Sequence, residues 1–163
     1  MKYFVIYFSE TGNTEKIANE IYNTLPEDKE ISHFNELDIN SLENYDLIFI
    51  GTAVHALSIP KKVKKVMKGF PDNLNSKAAV FVTHGVPDEN FYINSIKTLK
   101  KYCEKKDLEV IGEFHCLGKH ANLDLIKKLF PDKVEDAKKS DKHPDEDDLQ
   151  NAKKFASEII NKL

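Results

Sequence analysis

The chain of 163 residues is 40% hydrophobic and 31% charged, with a formal net charge of −3. Its length predicts a single domain over 1–163, and its apolar share is enough to bury a core, which argues against wholesale disorder. No apolar run approaches the roughly 18–20 residues of a membrane span, and the apolar stretch 1–8 is too short for a signal peptide. The two cysteines, Cys103 and Cys116, cannot form a disulfide framework. We therefore expect a cytoplasmic protein.

All 24 basic residues are lysines. Arginine is the residue that grips guanine edges and phosphates with two parallel hydrogen bonds. Its absence, together with the slightly acidic balance, argues against sequence-specific nucleic-acid binding. Five of the lysines cluster at Lys61, Lys62, Lys64, Lys65 and Lys68. This cluster is interpreted either as a solvated helix face or as a surface that steers an acidic partner.

Short apolar runs alternate along the chain with segments of helical periodicity. The segment 46–51 predicts a central strand, because it is too short and too apolar for a surface helix. The segment 117–143 has no clear strand, and one short helix is expected within it near 122–130. Strands are predicted at 2–8, 29–35, 46–51, 78–83 and 108–115, and the main helices at 13–25, 60–68, 89–106 and 144–163. This alternation predicts a doubly wound parallel α/β sheet, which binds ligands beyond the carboxyl ends of its strands.

The most informative loop follows the first strand and reads Ser9-Glu10-Thr11-Gly12-Asn13-Thr14. A helix begins directly after it, so unpaired N–H groups, hydroxyl groups and the helix dipole all favour a bound phosphate. Gly12 permits close approach of the backbone to the anion. The same residue types are ordinary helix caps, and taken alone they leave capping and phosphate binding open. The loop matches neither the nucleotide-triphosphate motif nor the dinucleotide fingerprint.

The apolar strand followed by 9–14 resembles the phosphate-binding loop of flavodoxins, which bind FMN, and the similarity in strand order and loop placement extends over nearly the whole chain. The resemblance implies a flavodoxin-like sheet of five parallel strands in the order 2-1-3-4-5, with helices on both faces. It also implies that the loop holds the FMN phosphate, with Glu10 contributing mainly its backbone. The residues implied at the phosphate are Ser9, Glu10, Thr11, Gly12, Asn13 and Thr14.

Two further stretches resemble flavin-contacting loops of that family. The stretch 51–60 matches a loop beside the ribityl chain and one edge of the flavin ring. In it, His55 is interpreted as a flat ring next to the flavin, or else as a surface histidine. The stretch 83–86 matches the loop whose backbone reads the pyrimidine edge. The implied site residues are Thr52, Ala53, Val54, His55 and Ala56 in the first stretch and Thr83, His84 and Gly85 in the second.

Two features depart from the family pattern. The chain has no tryptophan, and the usual aromatic pair that flanks the flavin is not obvious. Phe91 and Tyr92 are candidates for it, but both also fit the buried face of the next helix. In addition, the stretch 54–57 contains no glycine, so any positive φ there is expected to cost roughly 1 kcal/mol relative to glycine.

A fourth stretch, 114–120, holds two histidines and a cysteine, but it lacks the second ligand pair that a structural zinc site normally requires. No metal and no catalytic residue are therefore predicted. The resemblance implies FMN-based electron transfer with a reductase or an iron–sulfur protein as redox partner. Two alternatives are an FMN-dependent oxidoreductase of quinone or protoporphyrinogen type and a flavin-free phosphate-binding module. The lack of a nicotinamide-binding motif favours the carrier over the enzyme.

Overall fold

A computed structural model describes the whole chain from Met1 to Leu163. Five strands form one sheet in which every neighbouring pair is parallel, in the order β2-β1-β3-β4-β5. The strands are β1 (Tyr3–Phe8), β2 (Lys29–His33), β3 (Leu47–Ala53), β4 (Lys77–His84) and β5 (Glu109–Leu117). The predicted fold class and strand order are confirmed.

Six helices accompany the sheet, and none of them is both long and apolar enough to cross a membrane. They are α1 (Asn13–Thr24), α2 (Lys61–Lys68), α3 (Ile93–Glu104), α4 (Leu123–Leu129), α5 (Val134–Lys138) and α6 (Glu146–Ile160). Three short 3-10 turns lie at Ile39–Asn44, Glu89–Phe91 and Pro131–Lys133. The predicted alternation of strand and helix is therefore present along the chain.

The helices cover both faces of the sheet, as predicted. On one face, α2 and α3 bury apolar side chains such as Met67 and Leu99 against β1, β3 and β4. On the other face, α1 and α6 bury Ile17 and Ile159 among others. These side chains recur at helical spacing in otherwise polar segments, and their burial supplies the main stabilising term for each helix.

Several element boundaries differ from the sequence prediction. β3 continues through Gly51 to Ala53, because Thr52 still pairs with β1 and Ala53 with β4. The predicted helix 89–106 is split, since a 3-10 turn precedes α3. The last helix begins at Glu146 rather than Pro144, because Asp145 caps it in a reciprocal pair of hydrogen bonds with Asp148.

The segment 117–143 contains two short α-helices, where the sequence analysis expected one. α4 and α5 bury a small separate cluster of apolar residues, which includes Val86, Ile126 and Ala137. This cluster lies beside the end of β4 and is distinct from the two cores that flank the sheet. The segment is thereby fixed next to the carboxyl edge of the sheet.

Candidate functional site

The carboxyl ends of the central strands are aligned, so the loops that follow them meet at one edge of the sheet. Phe8 at the end of β1 pairs with Thr52, and Ala53 at the end of β3 pairs with Thr83. A cavity of about 420 Å³ opens at this edge. It is bounded by the loops after β1, β3 and β4 and by the segment that follows β5.

The loop after β1 presents backbone donors without partners. Gly12 has φ of +91°, and its N–H donates to Ser9 Oγ over 3.0 Å. The N–H groups of Thr11, Asn13, Thr14 and Glu15 have no hydrogen-bond acceptor within the chain. They converge at the positive end of α1, where an anion is stabilised by N–H donors and by the helix dipole.

Side chains of other elements hold this loop in place. His33 at the end of β2 accepts the N–H of Asn35 at Nδ1, and its Nε2 lies 3.2 Å from both the backbone N–H nitrogen and the carbonyl oxygen of Ser9. Asn13 donates through Nδ2 to the Lys119 carbonyl oxygen over 3.0 Å. These two contacts attach the loop to β2 on one side and to the segment after β5 on the other.

Two threonines of the predicted site point into the protein instead of into the cavity. Thr14 is fully buried, and its hydroxyl forms a 2.8 Å hydrogen bond with that of Thr83. Thr52 is also fully buried and donates to the Ala53 carbonyl oxygen. Thr14 therefore offers its backbone N–H, but not its hydroxyl, to an anion in the loop.

The loop after β3 forms a tight two-residue turn. His55 and Ser58 exchange two backbone hydrogen bonds of 2.7 and 2.8 Å. Between them, Ala56 and Leu57 have φ of 46° and 63°, the left-handed region that the sequence analysis expected these residues to resist. Each costs roughly 1 kcal/mol relative to glycine. Such strained turns concentrate at ligand sites, where the surrounding structure over-determines them.

His55 connects two loops across the cavity. Its Nε2 lies 3.7 Å from a carboxylate oxygen of Glu10. Its ring packs nearly perpendicular to the ring of Phe8, with 6.5 Å between the two centroids. Its side chain remains 44% exposed, so one face of the imidazole is available to a ligand. Glu10 thus contributes a side-chain contact with His55 in addition to its backbone.

The loop after β4 is built on three stacked rings. The ring of Tyr92 packs over the imidazoles of His84 and His115, with centroid distances of 4.0 and 4.2 Å, and the two imidazoles lie side by side with their centroids 5.2 Å apart. His84 donates from Nδ1 to the Val86 carbonyl oxygen at 2.8 Å, and its Nε2 accepts from Nδ1 of His115 at 3.0 Å. Burial lowers the pKa of His84 to about 4 and also lowers that of His115. Both rings are therefore neutral at pH 7, and Tyr92 belongs to this stack rather than to the cavity.

The segment after β5 supplies a further wall of the cavity, although none of its residues was among the predicted site residues. His120 packs directly on Gly85, where an added Cβ would lie 2.4 Å from the imidazole. Its Nδ1 accepts the Asn122 N–H over 3.0 Å, so Nε2 keeps the proton, and burial lowers the pKa of the ring. His120 is therefore a neutral N–H donor at the cavity.

Exposed leucines mark the mouth of the cavity. Leu57, Leu125 and Leu129 are 37%, 47% and 56% exposed, and the only other large hydrophobic residues so exposed are the two terminal ones. Phe91 and Phe130 meet edge to face behind α4. A single apolar patch on a protein surface often marks a binding site.

The structure brings most of the predicted site residues to one cavity and leaves the others behind it. The cavity is lined by Glu10, Thr11, Asn13, Ala53, Val54, His55, Ala56, Thr83, His84 and Gly85. The remaining four predicted residues, Ser9, Gly12, Thr14 and Thr52, do not line it. The additional lining residues are Leu57, Val86, Phe91, Lys119, His120, Ala121, Asn122, Leu125, Ile126, Leu129 and Phe130.

Other reactive groups are occupied in structural roles. His143, Asp145 and Asp148 bring three possible metal ligands within 4.8 Å of one another, but Asp145 and Asp148 form the cap of α6 and His143 bonds to Asp148. Cys116 is buried, and burial raises the pKa of its thiol. A thiol in that state is a poor nucleophile at neutral pH.

Comparison with known proteins gives four informative similarities. The model of the flavodoxin domain family matches residues 4–157. The flavodoxin-like domain-containing protein BilS of Clostridioides difficile (strain CD3) is 35% identical, over 98% of this chain and 97% of its own length. Oxidised flavodoxin 2 from Bacillus cereus superposes with a TM-score of 0.74 at 18% identity, covering all of both chains. A flavoprotein in complex with FMN from Lactobacillus acidophilus NCFM gives a TM-score of 0.57 at 21% identity, covering 70% of this chain and 92% of its own.

Proposed function

The chain belongs to the flavodoxin family, and on that premise we propose that it binds FMN and carries electrons between partner proteins. The single observation that supports this most is the group of four unpartnered N–H donors at the start of α1. Two of the residues that carry them, Thr11 and Asn13, line the same cavity as the loops after β3 and β4. A doubly wound sheet binds its ligand at this edge.

The donor set fits a phosphate monoester. Backbone N–H groups of Thr11, Asn13, Thr14 and Glu15 would hold the phosphate oxygens, and Gly12 allows the loop to curve around them. The hydroxyl of Thr11 is available as a further donor, because that side chain lines the cavity. No lysine lies in the loop, so the helix dipole and the N–H groups supply the positive potential.

The rest of the cavity fits a flat, largely apolar ring. The turn at Ala56 and Leu57 and the exposed face of α4 at Leu125 and Leu129 provide apolar surface on its sides. Backbone groups of Gly85 and the N–H donor of His120 provide the polar contacts that a flavin's pyrimidine edge requires. α4 thereby takes the place of the flanking aromatic pair that the chain lacks. FMN would supply the redox chemistry, and the protein binds, orients and shields it.

Titration of the flavin-free protein by quenching of flavin fluorescence tests the proposal. We expect FMN to bind at least 100-fold more tightly than riboflavin, because charge-assisted hydrogen bonds to the phosphate supply much of the affinity. Replacing Leu125 and Leu129 together by serine is expected to weaken both flavins alike, since the leucines lie away from the phosphate loop. Equal affinities for FMN and riboflavin would contradict the assignment of the loop.

A second candidate function is favoured by the exposed leucines at the mouth of the cavity. Leu125 and Leu129 of α4 leave apolar surface open beside the site, and a substrate of quinone type requires an apolar, concave pocket. Anaerobic stopped-flow mixing of the FMN-loaded protein with NADH or NADPH, with and without a quinone, distinguishes the two. Slow reduction of the flavin is expected for the carrier, and rapid reduction with many quinone turnovers would assign the enzyme.

The partners proposed for the carrier are a reductase or an iron–sulfur protein. The proposed location is the cytoplasm, and it is supported by the two cysteines, which are both free and buried. Neither cysteine takes part in the proposed chemistry.

A further inference from the structure

Lysines are concentrated in the two helices that cover one face of the sheet. α2 carries five lysines and no acidic residue, and the stretch 93–106, which contains α3, carries five lysines and one glutamate. The rest of the chain holds 14 lysines and 26 acidic residues. The overall net charge of −3 is therefore the sum of one strongly basic face, formed by α2 and α3, and an acidic remainder of the chain.

The lysines of this face are largely free of ion pairs. None of the five in α2 has an acidic group within 4.0 Å, and in the stretch 93–106 only Lys100 and Lys106 are paired, with Glu113 and Asp72. All five α2 lysines are exposed or half-buried. Unpaired like charges on adjacent helices repel one another and generate a positive potential that extends into the solvent. Folding alone does not explain this arrangement, because helix α2 is already fixed by Val63 and Met67 in the core.

The basic face adjoins the mouth of the cavity. α2 begins directly after the turn at Ala56 and Leu57, and α3 begins after the loop that follows β4. Asn94 in the first turn of α3 donates to the Leu57 carbonyl oxygen over 3.3 Å, so both helices start at the same strained turn. A partner that covers the first turns of these helices therefore also covers Leu57 at the cavity edge.

We propose that the face formed by α2 and α3 is the docking surface for an acidic electron-transfer protein, which it steers so that the partner's redox centre meets the flavin edge beside Leu57. This inference rests on the proposed FMN function and names the partner chemistry for it. An acidic protein is favoured over nucleic acid, because the face lacks arginine and lies at the electron-transfer edge. In each productive encounter one electron leaves the reduced iron–sulfur cluster of the partner, which is oxidised, and enters the flavin. Two encounters therefore complete a two-electron reduction, with the protons taken from water.

The test uses an acidic [2Fe–2S] ferredoxin as the probe and two matched triple variants. Lys61→Glu/Lys64→Glu/Lys65→Glu changes the proposed face, whereas Lys138→Glu/Lys153→Glu/Lys154→Glu makes the same change of net charge away from it. Binding of ferredoxin is measured by calorimetry on protein with and without FMN. Reduction of the FMN-loaded protein by reduced ferredoxin is followed in the stopped-flow instrument at ionic strengths between 0.02 and 0.5 M.

We expect the rate constant with the original chain to fall roughly tenfold or more with rising salt, as electrostatic steering predicts. The α2 variant should lose about tenfold in both affinity and rate at low salt, and the control variant less than about twofold. Equal losses in both variants, or a rate independent of salt, would overturn the proposal. Equally tight binding of duplex DNA or of phosphatidylserine vesicles to the same lysines would also overturn it, because the face would then be a general anion surface.

The two proposals fail in different ways. A protein that binds no FMN but still binds ferredoxin through the α2 lysines contradicts the flavin assignment and leaves the docking surface intact. A protein that binds FMN and shows no dependence on these lysines contradicts the docking surface alone. Circular dichroism of each triple variant shows whether it is folded. The control variant shows how far a change of six units in net charge alone alters the affinity and the rate.

Discussion

His84 accepts at Nε2 a hydrogen bond from Nδ1 of His115, over 3.0 Å, while its own Nδ1–H is held by the Val86 carbonyl oxygen. The pair is therefore locked in one tautomeric arrangement, in which the exposed histidine donates to the buried one. Protonation of His84 would place two N–H groups against each other and a charge in the interior. Burial is the main cause that lowers the pKa of His84, to about 4.

This arrangement predicts a specific dependence of stability on pH. Because the pKa of His84 is lower in the folded than in the unfolded state, the unfolded chain binds more protons below about pH 6.5. The contribution of His84 to the free energy of unfolding is complete above about pH 6.5. It is lost as the pH falls toward 4, and the total loss is about 3 kcal/mol. Urea unfolding at pH 4.5, 5.5, 6.5 and 7.5 measures it. His84→Asn should flatten the slope between pH 5 and 6.5 even if it lowers stability throughout, and an unchanged slope would count against this explanation.

A second prediction concerns the buried bond between Thr14 and Thr83. Replacing either threonine by valine keeps the shape but leaves the partner hydroxyl without a hydrogen bond, which should cost about 1–3 kcal/mol in free energy of unfolding. The double replacement should cost clearly less than the sum, since no unpaired hydroxyl remains. Denaturant unfolding of the three variants gives the coupling energy. Strict additivity would show that the two hydroxyls do not interact.

The contact between Gly85 and His120 predicts an effect on binding as well as on stability. In Gly85→Ala, the new Cβ would lie 2.4 Å from the imidazole, so His120 must move and about 1–3 kcal/mol of stability is expected to be lost. FMN affinity should fall with it, because the displaced ring enters the cavity. Gly69→Ala is the control, since its Cβ would meet the Val66 carbonyl oxygen at 3.3 Å, a much smaller overlap, and it should lose less stability than Gly85→Ala. Thermal melts and the flavin titration report the two quantities separately.

The strained turn predicts an unusual gain from glycine. Ala56→Gly removes a left-handed alanine and should stabilise the protein by up to about 1 kcal/mol, despite the greater freedom of glycine in the unfolded chain. Ala53→Gly, three residues earlier in an ordinary strand conformation, should destabilise it by about 0.5–1 kcal/mol. Chemical unfolding of both variants is the measurement. Destabilisation of similar size in both would mean that the turn at residue 56 is not strained in solution.

Much of the fold could be predicted from the sequence because its signals are local. Strands such as β3 are short apolar runs, and a helix such as α1 repeats its apolar residues at helical spacing, so the order of elements could be predicted along the chain. The loop 9–14 could be predicted as a candidate site for the same reason, because its composition and its position before a helix are both local properties.

The parts that could not be predicted depend on contacts between distant residues. The contact between His84 and His115 follows from the register of β4 and β5, in which His115 pairs with the residue two positions before His84, and the sequence does not specify that register. The turn at Ala56 and Leu57 was missed because neither residue is typical of positive φ, and only the surrounding structure imposes it. The spacing of Leu125 and Leu129 along a helix is typical of core residues, and only the tertiary structure shows that no other element covers them.

The hydrogen bond from Asn13 to the Lys119 carbonyl oxygen joins residues that are 106 positions apart in the chain. Closing so long a loop costs entropy that is recovered only when the intervening strands are in place. A nascent chain that has not yet emerged beyond β5 has the loop after β1 but not the opposite wall, which the segment after β5 supplies. The cavity is therefore complete only after the whole sheet has been synthesised.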